Sequence, residues 1–199
     1  MPRLSLTDFI DVVSRAGTAR TTKVAQLKHR PAYDPAFDFY RIVRKAIAET
    51  HQQGLPKSNL GTLLGKLKDP KKQVNYPAIV SGYSKWWGKK QITWFDPPSA
   101  VFSYSGVDVA VNPELGLEFG GQKHIIKLYF KGSTLTKQRT LIATGLMEHS
   151  LRASAPTGAI MSLLDIRSSK LFPAPALTPH LIAGLQAELA FISTLWPLV

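Results

Sequence analysis

The sequence contains no cysteine. This excludes a disulfide framework, a thiolate metal site and a cysteine nucleophile, and it is compatible with a reducing compartment. The first residues have no long apolar run before a small-residue cleavage site, so they do not resemble a signal peptide. No stretch reaches about 18 consecutive apolar residues, so the sequence predicts no membrane insertion. We therefore expect a cytoplasmic protein.

Several motifs of catalysis and ligand binding are also missing. The chain has no glycine-rich turn followed by Lys-Ser or Lys-Thr, which excludes a phosphate-binding loop of that type. It has no Gly-x-Ser-x-Gly nucleophile elbow. Five histidines show no metal-ligand spacing and are interpreted as unrelated surface or core residues: His29, His51, His124, His149 and His180. The sequence shows no internal repeat and no low-complexity segment.

Acidic residues are few, and the excess of basic over acidic residues lies almost entirely in the first 90 residues. The 199 residues include 25 Lys and Arg against 13 Asp and Glu, a net charge of +12. Residues 1–90 hold 17 basic and 6 acidic residues, whereas residues 91–199 hold 8 and 7. Such an excess favours a polyanionic partner, first nucleic acid and second an anionic membrane surface. Among nucleic acids we expect DNA rather than RNA.

The periodicity of apolar residues changes at about residue 90. Hydrophobic residues make up 44% of the chain, enough for a packed core. Helical spacing predicts helices, and alternation predicts strands. The predicted helices cover residues 4–15, 34–51, 58–67, 76–87, 134–151 and a last segment capped by Thr178; the predicted strands cover 91–95, 100–104, 107–111, 115–119, 124–130 and 158–164. Residues 17–30 are polar and basic, and we predict a loop with a short ordered piece there.

These elements predict an α+β fold. A helical basic N-terminal part (1–90) packs on an α+β core (91–199), and the two parts form separate domains or one compact domain. The core is a mixed, mainly antiparallel sheet with two long C-terminal helices. A Gly120-Gly121 pair suits the positive φ of a tight turn and predicts a hairpin between two of the strands.

Two short motifs in the core resemble a known superfamily. Gly106-Val107-Asp108-Val109 resembles a strand in which a metal-binding Asp follows a glycine and a hydrophobic residue. Residues 125–132 resemble a strand that reads apolar, apolar, acid, any residue, Lys. With the order of strands and helices over residues 91–165, this chain resembles the PD-(D/E)XK nuclease-like core. The resemblance implies a magnesium-dependent phosphodiester hydrolase.

The chain departs from the family at the acid-x-Lys motif. Tyr129 stands two residues before Lys131, and Ile125 stands two residues before Lys127, so neither lysine has the required carboxylate. Mg²⁺ prefers hard oxygen ligands, and Asp108 alone supplies too few. The resemblance therefore implies a catalytically degenerate core with no cofactor. If Glu114 has taken the missing role, the alternative is an active nuclease that uses Mg²⁺ with Asp108, Glu114 and Lys127 or Lys131.

The predicted strand at residues 124–130 also carries an alternating face. Lys127, Tyr129 and Lys131 lie on one side by the period of two, with apolar residues on the other. This basic and aromatic face holds a phosphate backbone, or it is the solvated face of a sheet. Asp108, between two valines, is interpreted as a solvent-facing residue or a metal ligand.

The most basic cluster is the main candidate for nucleic-acid binding. Lysines neutralise phosphates and release counterions, and an exposed tryptophan stacks on a base. The candidate residues are Lys66, Lys68, Lys71, Lys72, Lys85, Trp86, Trp87, Lys89 and Lys90. In the other interpretation, Trp86 or Trp87 belongs to the core beside Tyr83 and the lysines only solvate helix ends.

Three functions follow from these features. The first is a nucleic-acid-binding protein with a nuclease-like, catalytically inactive core. The second is the metal-dependent nuclease with relocated acidic ligands. The third is a protein–protein adaptor whose basic face meets an acidic partner.

Overall fold

The computed structural model describes residues 1–32, 38–131 and 135–199. In this part of the chain the fold is mixed α/β, with seven α-helices and two mixed sheets. The helices are α1 (Leu6–Val13), α2 (Gly17–Lys28), α3 (Arg41–Gln52), α4 (Asn59–Leu64), α5 (Pro70–Trp87), α6 (Lys137–Leu151) and α7 (Pro179–Leu195). The strands are β1 (Arg3–Ser5), β2 (Thr93–Phe95), β3 (Ala100–Tyr104), β4 (Val107–Val111), β5 (Leu115–Phe119), β6 (Gln122–Tyr129), β7 (Ile160–Asp165) and β8 (Lys170–Pro173).

The strands form two sheets where the sequence predicted one. The smaller sheet has the order β1-β4-β3, with β1 parallel and β3 antiparallel to β4. The larger sheet has the order β2-β5-β6-β7-β8, and β6–β7 is its parallel pair. Helix α6 connects these two parallel strands, as a crossover of this kind requires. Strand β1 was not predicted. It is only three residues long and ends at Ser5, which forms the capping box of α1 with Asp8, so Leu4 and Ser5 were assigned to the predicted helix over residues 4–15.

Two apolar clusters lie on opposite faces of the larger sheet. Ile125 and Leu163 belong to a cluster with α1, α2, α6, α7 and the smaller sheet. Ile126, Leu128 and Leu164 belong to a second cluster with α3, α4 and α5. Both clusters combine residues from before and after residue 90. Helices therefore cover both faces, which explains why β6 buries consecutive apolar residues, Ile125 and Ile126, and β7 buries Leu163 and Leu164.

The largest local difference from the sequence prediction is α2. We predicted a loop with a short ordered piece over residues 17–30, because that stretch is polar and basic. The structure has a 12-residue helix there that buries Val24 and Leu27. Packing against α1 and α7 stabilises it, since local propensity alone is a weak determinant of a short helix. The predicted helix starts at Asp34 and Thr134 lie outside the described residues.

Glycine at position 82 allows α5 to lie directly on the chain that follows β7. A Cβ at Gly82 would lie 2.1 Å from the carbonyl oxygen of Ile166, and the Ser169 hydroxyl donates to the Gly82 carbonyl at 2.8 Å. We expect Gly82→Ala to destabilise the fold by about 1–3 kcal/mol, because a rigid backbone atom has to move. Urea unfolding measures this change.

Gly184→Ala is the matched control in α7. A Cβ at Gly184 meets no atom within 4 Å, so this substitution should instead stabilise the chain by about 0.5–1 kcal/mol. Equal effects of the two substitutions would contradict the close approach of α5.

Helix α7 and the turn after it form a long apolar helical segment. Residues 179–198 have a mean hydropathy of 1.4, so by length and composition alone they pass for a membrane span. In the fold, Leu185, Leu189 and Ile192 from this helix are buried in the first apolar cluster. It is the only such helix among the described residues, and by itself it is a weak indication.

Candidate nucleic-acid interface

One end of the predicted basic cluster lies at the start of α5. The helix predicted over residues 76–87 begins earlier in the structure, at Asp69-Pro70. The Asp69 carboxylate accepts from the backbone N–H groups of Lys71 at 2.8 Å and Lys72 at 3.3 Å, and Pro70 occupies the first turn. Lys66, Lys68 and Lys71 are exposed around this end. Lys72 instead forms an ion pair with Asp69 at 3.7 Å.

The other lysines of the cluster lie at the far end of the same helix. Lys85, Lys89 and Lys90 are exposed near the C-terminus of α5. The Lys90 ammonium donates to the Trp86 carbonyl oxygen, and Lys57 donates to the Gly88 carbonyl oxygen at 2.7 Å. Cations at this position stabilise the negative end of the helix dipole. Since α5 has 18 residues and a length of about 27 Å, the structure divides the cluster into two groups at opposite ends of this helix.

The two neighbouring tryptophans have different environments. Trp86 is only 5% exposed and packs against Tyr83 and Phe119, with ring centroids 5.3 and 5.6 Å away. It belongs to the core, as one of the two interpretations predicted, and no face of it is free for a base. Trp87 is half-buried and packs on the His51 ring at 4.2 Å. Its indole N–H donates to the Lys90 carbonyl oxygen at 3.1 Å.

His51 connects α3 to α5 beneath Trp87. Its Nε2 lies 2.6 Å from the hydroxyl oxygen of Tyr83 in a buried hydrogen bond. Burial lowers the pKa of His51 to about 4 and raises the pKa of Tyr83 well above its usual value. Both side chains are therefore neutral at pH 7. Sequence spacing gave His51 no role, because its partner is 32 residues away.

These groups surround a cleft that the sequence did not predict. The cleft has a volume of about 350 Å³ and lies between the loop after α3 and the end of α5. Its lining residues are His51, Gly54, Leu55, Pro56, Lys57, Trp87, Gly88, Lys89, Lys90, Gln91 and Ile92. Three lysines and no acidic residue are among them. The lining comes from two segments about 30 residues apart, so no local pattern would reveal it.

Asp108 lies in the smaller sheet, apart from the other candidate catalytic residues. It stands opposite Ser103 in β3 and Arg3 in β1, and its carboxylate accepts from the Ser103 hydroxyl at 2.6 Å. Its strand does not pair with β5 or β6. The structure thus places Asp108 and Lys127 on different sheets.

The structure does bring Glu114 and Lys127 together. The Lys127 ammonium lies 2.5 Å from one Glu114 carboxylate oxygen and donates to the Asn112 carbonyl oxygen at 2.9 Å. The second Glu114 oxygen accepts from the Leu128 backbone N–H at 2.8 Å. The β5–β6 pairing ends at Leu115 and Ile126, so no backbone group of β5 lies opposite Leu128. Glu114 directly precedes β5, and its side chain supplies the acceptor for the Leu128 N–H instead.

Lys131 and Tyr129, from the predicted basic and aromatic face, lie on the side of the sheet that α1 and α6 cover. Lys131 forms an ion pair with Asp11 of α1, and Lys23 lies 3.8 Å from the same carboxylate. Tyr129 is only 4% exposed, within the cluster that contains α1 and α6. The face is therefore neither a solvated sheet surface nor an open phosphate site, because helices cover both sides of the sheet.

The described residues contain no group of three or more His, Asp and Glu side chains arranged to hold a metal ion. Comparison with models of known protein families gives no match, and comparison with curated proteins gives no significant match either.

Proposed function

We propose that this protein binds nucleic acid through the lysines of α5 and of the loops that adjoin α4 and α5. The observation that carries the proposal is the charge of residues 57–90, which hold eight lysines and a single acidic residue, Asp69. Seven of these lysines are exposed, and two of the seven, Lys57 and Lys90, donate to carbonyl oxygens at the end of α5. The other five form no ion pair within the described part of the chain: Lys66, Lys68, Lys71, Lys85 and Lys89. We call these five residues the α5 lysine surface.

The α5 lysine surface has the chemistry of phosphate binding without sequence readout. Lysine is a flexible point charge, whereas bidentate contacts to guanine depend mainly on arginine, and residues 57–90 contain no arginine. Contacts of this kind release counterions and give binding that depends steeply on salt. We therefore propose binding that is largely independent of sequence.

The exposed face of α5 carries lysines and uncharged residues, so a polyanion can approach it closely. Lys71 and Lys85 lie near one face of the helix, about 21 Å apart at 1.5 Å per residue. Between them on that face are Val74, Ala78 and Ser81, all exposed and uncharged. No acidic side chain on this face repels a phosphate chain that follows the helix.

The nuclease-like core is the second part of the proposal. What supports it is the order of elements in the larger sheet, in which antiparallel β5 and β6 are followed by α6 and then by β7 parallel to β6. Glu114 and Lys127 already satisfy each other, and Asp108 lies in the other sheet. We therefore propose a core that supports binding rather than cleavage.

Charge reversal at the start of α5 tests nucleic-acid binding away from the cleft. In Lys68→Glu/Lys71→Glu, we expect affinity for DNA to fall by at least about 10-fold at roughly 50 mM salt. The slope of log K against log salt should become shallower by about 2, since two phosphate contacts are lost. Filter binding with several unrelated sequences, in single-stranded and duplex form, should show the same loss for all.

The matched control reverses two exposed lysines elsewhere. Lys137→Glu/Lys170→Glu changes the net charge equally, so it reports the effect of the overall field alone. An equal loss in the control would show that α5 has no special role. If the unmodified protein retains neither DNA nor RNA at low salt, nucleic-acid binding itself is refuted, and a pull-down that survives nuclease treatment would favour the acidic protein partner.

A further inference from the structure

The cleft beside Trp87 differs from the rest of the α5 lysine surface in combining an aromatic ring with lysines. Its volume of about 350 Å³ is at the lower end of the range for small-ligand sites. Duplex DNA presents bases that are stacked on each other and paired, so such a cleft cannot admit them unless they are extruded. An unpaired nucleotide can present both a base and a phosphate to it.

The indole of Trp87 is held in place before any ligand arrives. Its N–H donates to the Lys90 carbonyl oxygen at 3.1 Å, and the ring packs on His51, which is itself hydrogen-bonded to Tyr83 at 2.6 Å. An aromatic side chain with a fixed orientation loses little conformational entropy when another ring stacks on it. Trp87 therefore has the properties of a stacking platform.

The charges of the cleft are arranged around this platform. Lys57 and Lys90 contact the last carbonyl groups of α5, which holds their ammonium groups at the cleft. Lys89 is exposed and makes no ion pair within the described residues. His51 faces the cleft as a neutral ring, since burial lowers its pKa to about 4. The site thus presents an aromatic surface and cations, the combination found in single-strand binding sites.

We propose that this cleft binds one unpaired nucleotide of a single-stranded nucleic acid, with its base on Trp87 and its phosphate near Lys57 and Lys89. This inference rests on the nucleic-acid binding proposed above and adds a preference for single strands. Gln91 also lines the cleft, and its amide can both donate to and accept from a base edge.

Substitution of Trp87 tests the preference directly. Anisotropy titrations would compare a labelled single-stranded DNA oligonucleotide with a duplex of the same sequence. In Trp87→Leu, we expect affinity for the single strand to fall by roughly 5- to 100-fold, because one stacked base is lost. Duplex affinity should change by less than about 2-fold, because phosphate contacts on α5 remain. Trp87→Phe should recover most of the single-strand affinity.

Trp94→Leu is the matched control, since Trp94 is another half-buried tryptophan but lies outside the cleft lining. It should leave the ratio of single-strand to duplex affinity unchanged, and thermal unfolding should show that both variants are folded. Equal losses for single strand and duplex in Trp87→Leu, or no loss in either, would overturn the inference while leaving nucleic-acid binding intact. Failure of the unmodified protein to bind either DNA or an RNA of the same sequence would refute the proposed function instead.

Discussion

Removal of the Glu114 carboxylate should destabilise the fold by about 3–5 kcal/mol. Glu114 and Lys127 are only 11% and 13% exposed, so Glu114→Ala leaves a largely buried ammonium without its counterion. It also deprives the Leu128 backbone N–H of its acceptor at the start of the β5–β6 ladder. Urea unfolding at pH 7 would measure the loss, and Glu118→Ala within β5 should cost less than about 1 kcal/mol.

A double substitution separates the two causes. Adding Lys127→Met to Glu114→Ala removes the stranded charge and should recover part of the lost stability. A loss below about 1 kcal/mol in Glu114→Ala would contradict the structural role of this pair. If the variant also lost a Mg²⁺- or Mn²⁺-dependent cleavage activity while keeping its stability, the active nuclease would be the better hypothesis.

Trp86→Ala should cost about 3–5 kcal/mol of stability, a loss comparable to that of the buried ion pair. Trp86 fills the second apolar cluster between Tyr83 and Phe119, and its ring also lies under the Lys90 ammonium at 4.9 Å. A cavity at this position lies between α5 and the larger sheet. Chemical denaturation would give the change in unfolding free energy.

Substitution of the neighbouring Trp87 should have a much smaller effect on stability. Trp87→Leu should cost only about 1 kcal/mol, because Trp87 is half-buried at the edge of the cleft. Trp86→Ala should leave the preference for single-stranded over duplex DNA unchanged under conditions where it remains folded. If the two substitutions destabilise the fold equally, the assignment of one tryptophan to the core and the other to the cleft is wrong.

Much of the secondary structure follows from local patterns. Alternation of Val107, Val109 and Val111 predicted β4 with the observed bounds, because each valine faces the same apolar cluster. The Gly120-Gly121 pair predicted the β5–β6 hairpin, and both glycines have positive φ. Thr178 was predicted to cap the last helix, and its hydroxyl accepts from the Leu181 N–H at 3.3 Å.

Other local patterns were ambiguous because they depend on what covers an element. The alternating face of Lys127, Tyr129 and Lys131 was compatible with solvent or with phosphate, but α1 and α6 cover it. The adjacent pair Trp86 and Trp87 had no distinguishing context in the sequence. A helix places neighbouring residues about 100° apart, so one of them faces the sheet and the other faces the cleft.

By itself, the sequence determined the charge of this protein and the positions of most helices and strands. Both properties depend on residues close together in the chain. Only the tertiary structure decided how the basic cluster is divided, which tryptophan lies beside the cleft, and which carboxylates have partners. The contacts between His51 and Tyr83, Lys57 and Gly88, and Lys131 and Asp11 join residues 32, 31 and 120 positions apart. Packing of whole layers sets such distances, and no local periodicity encodes them.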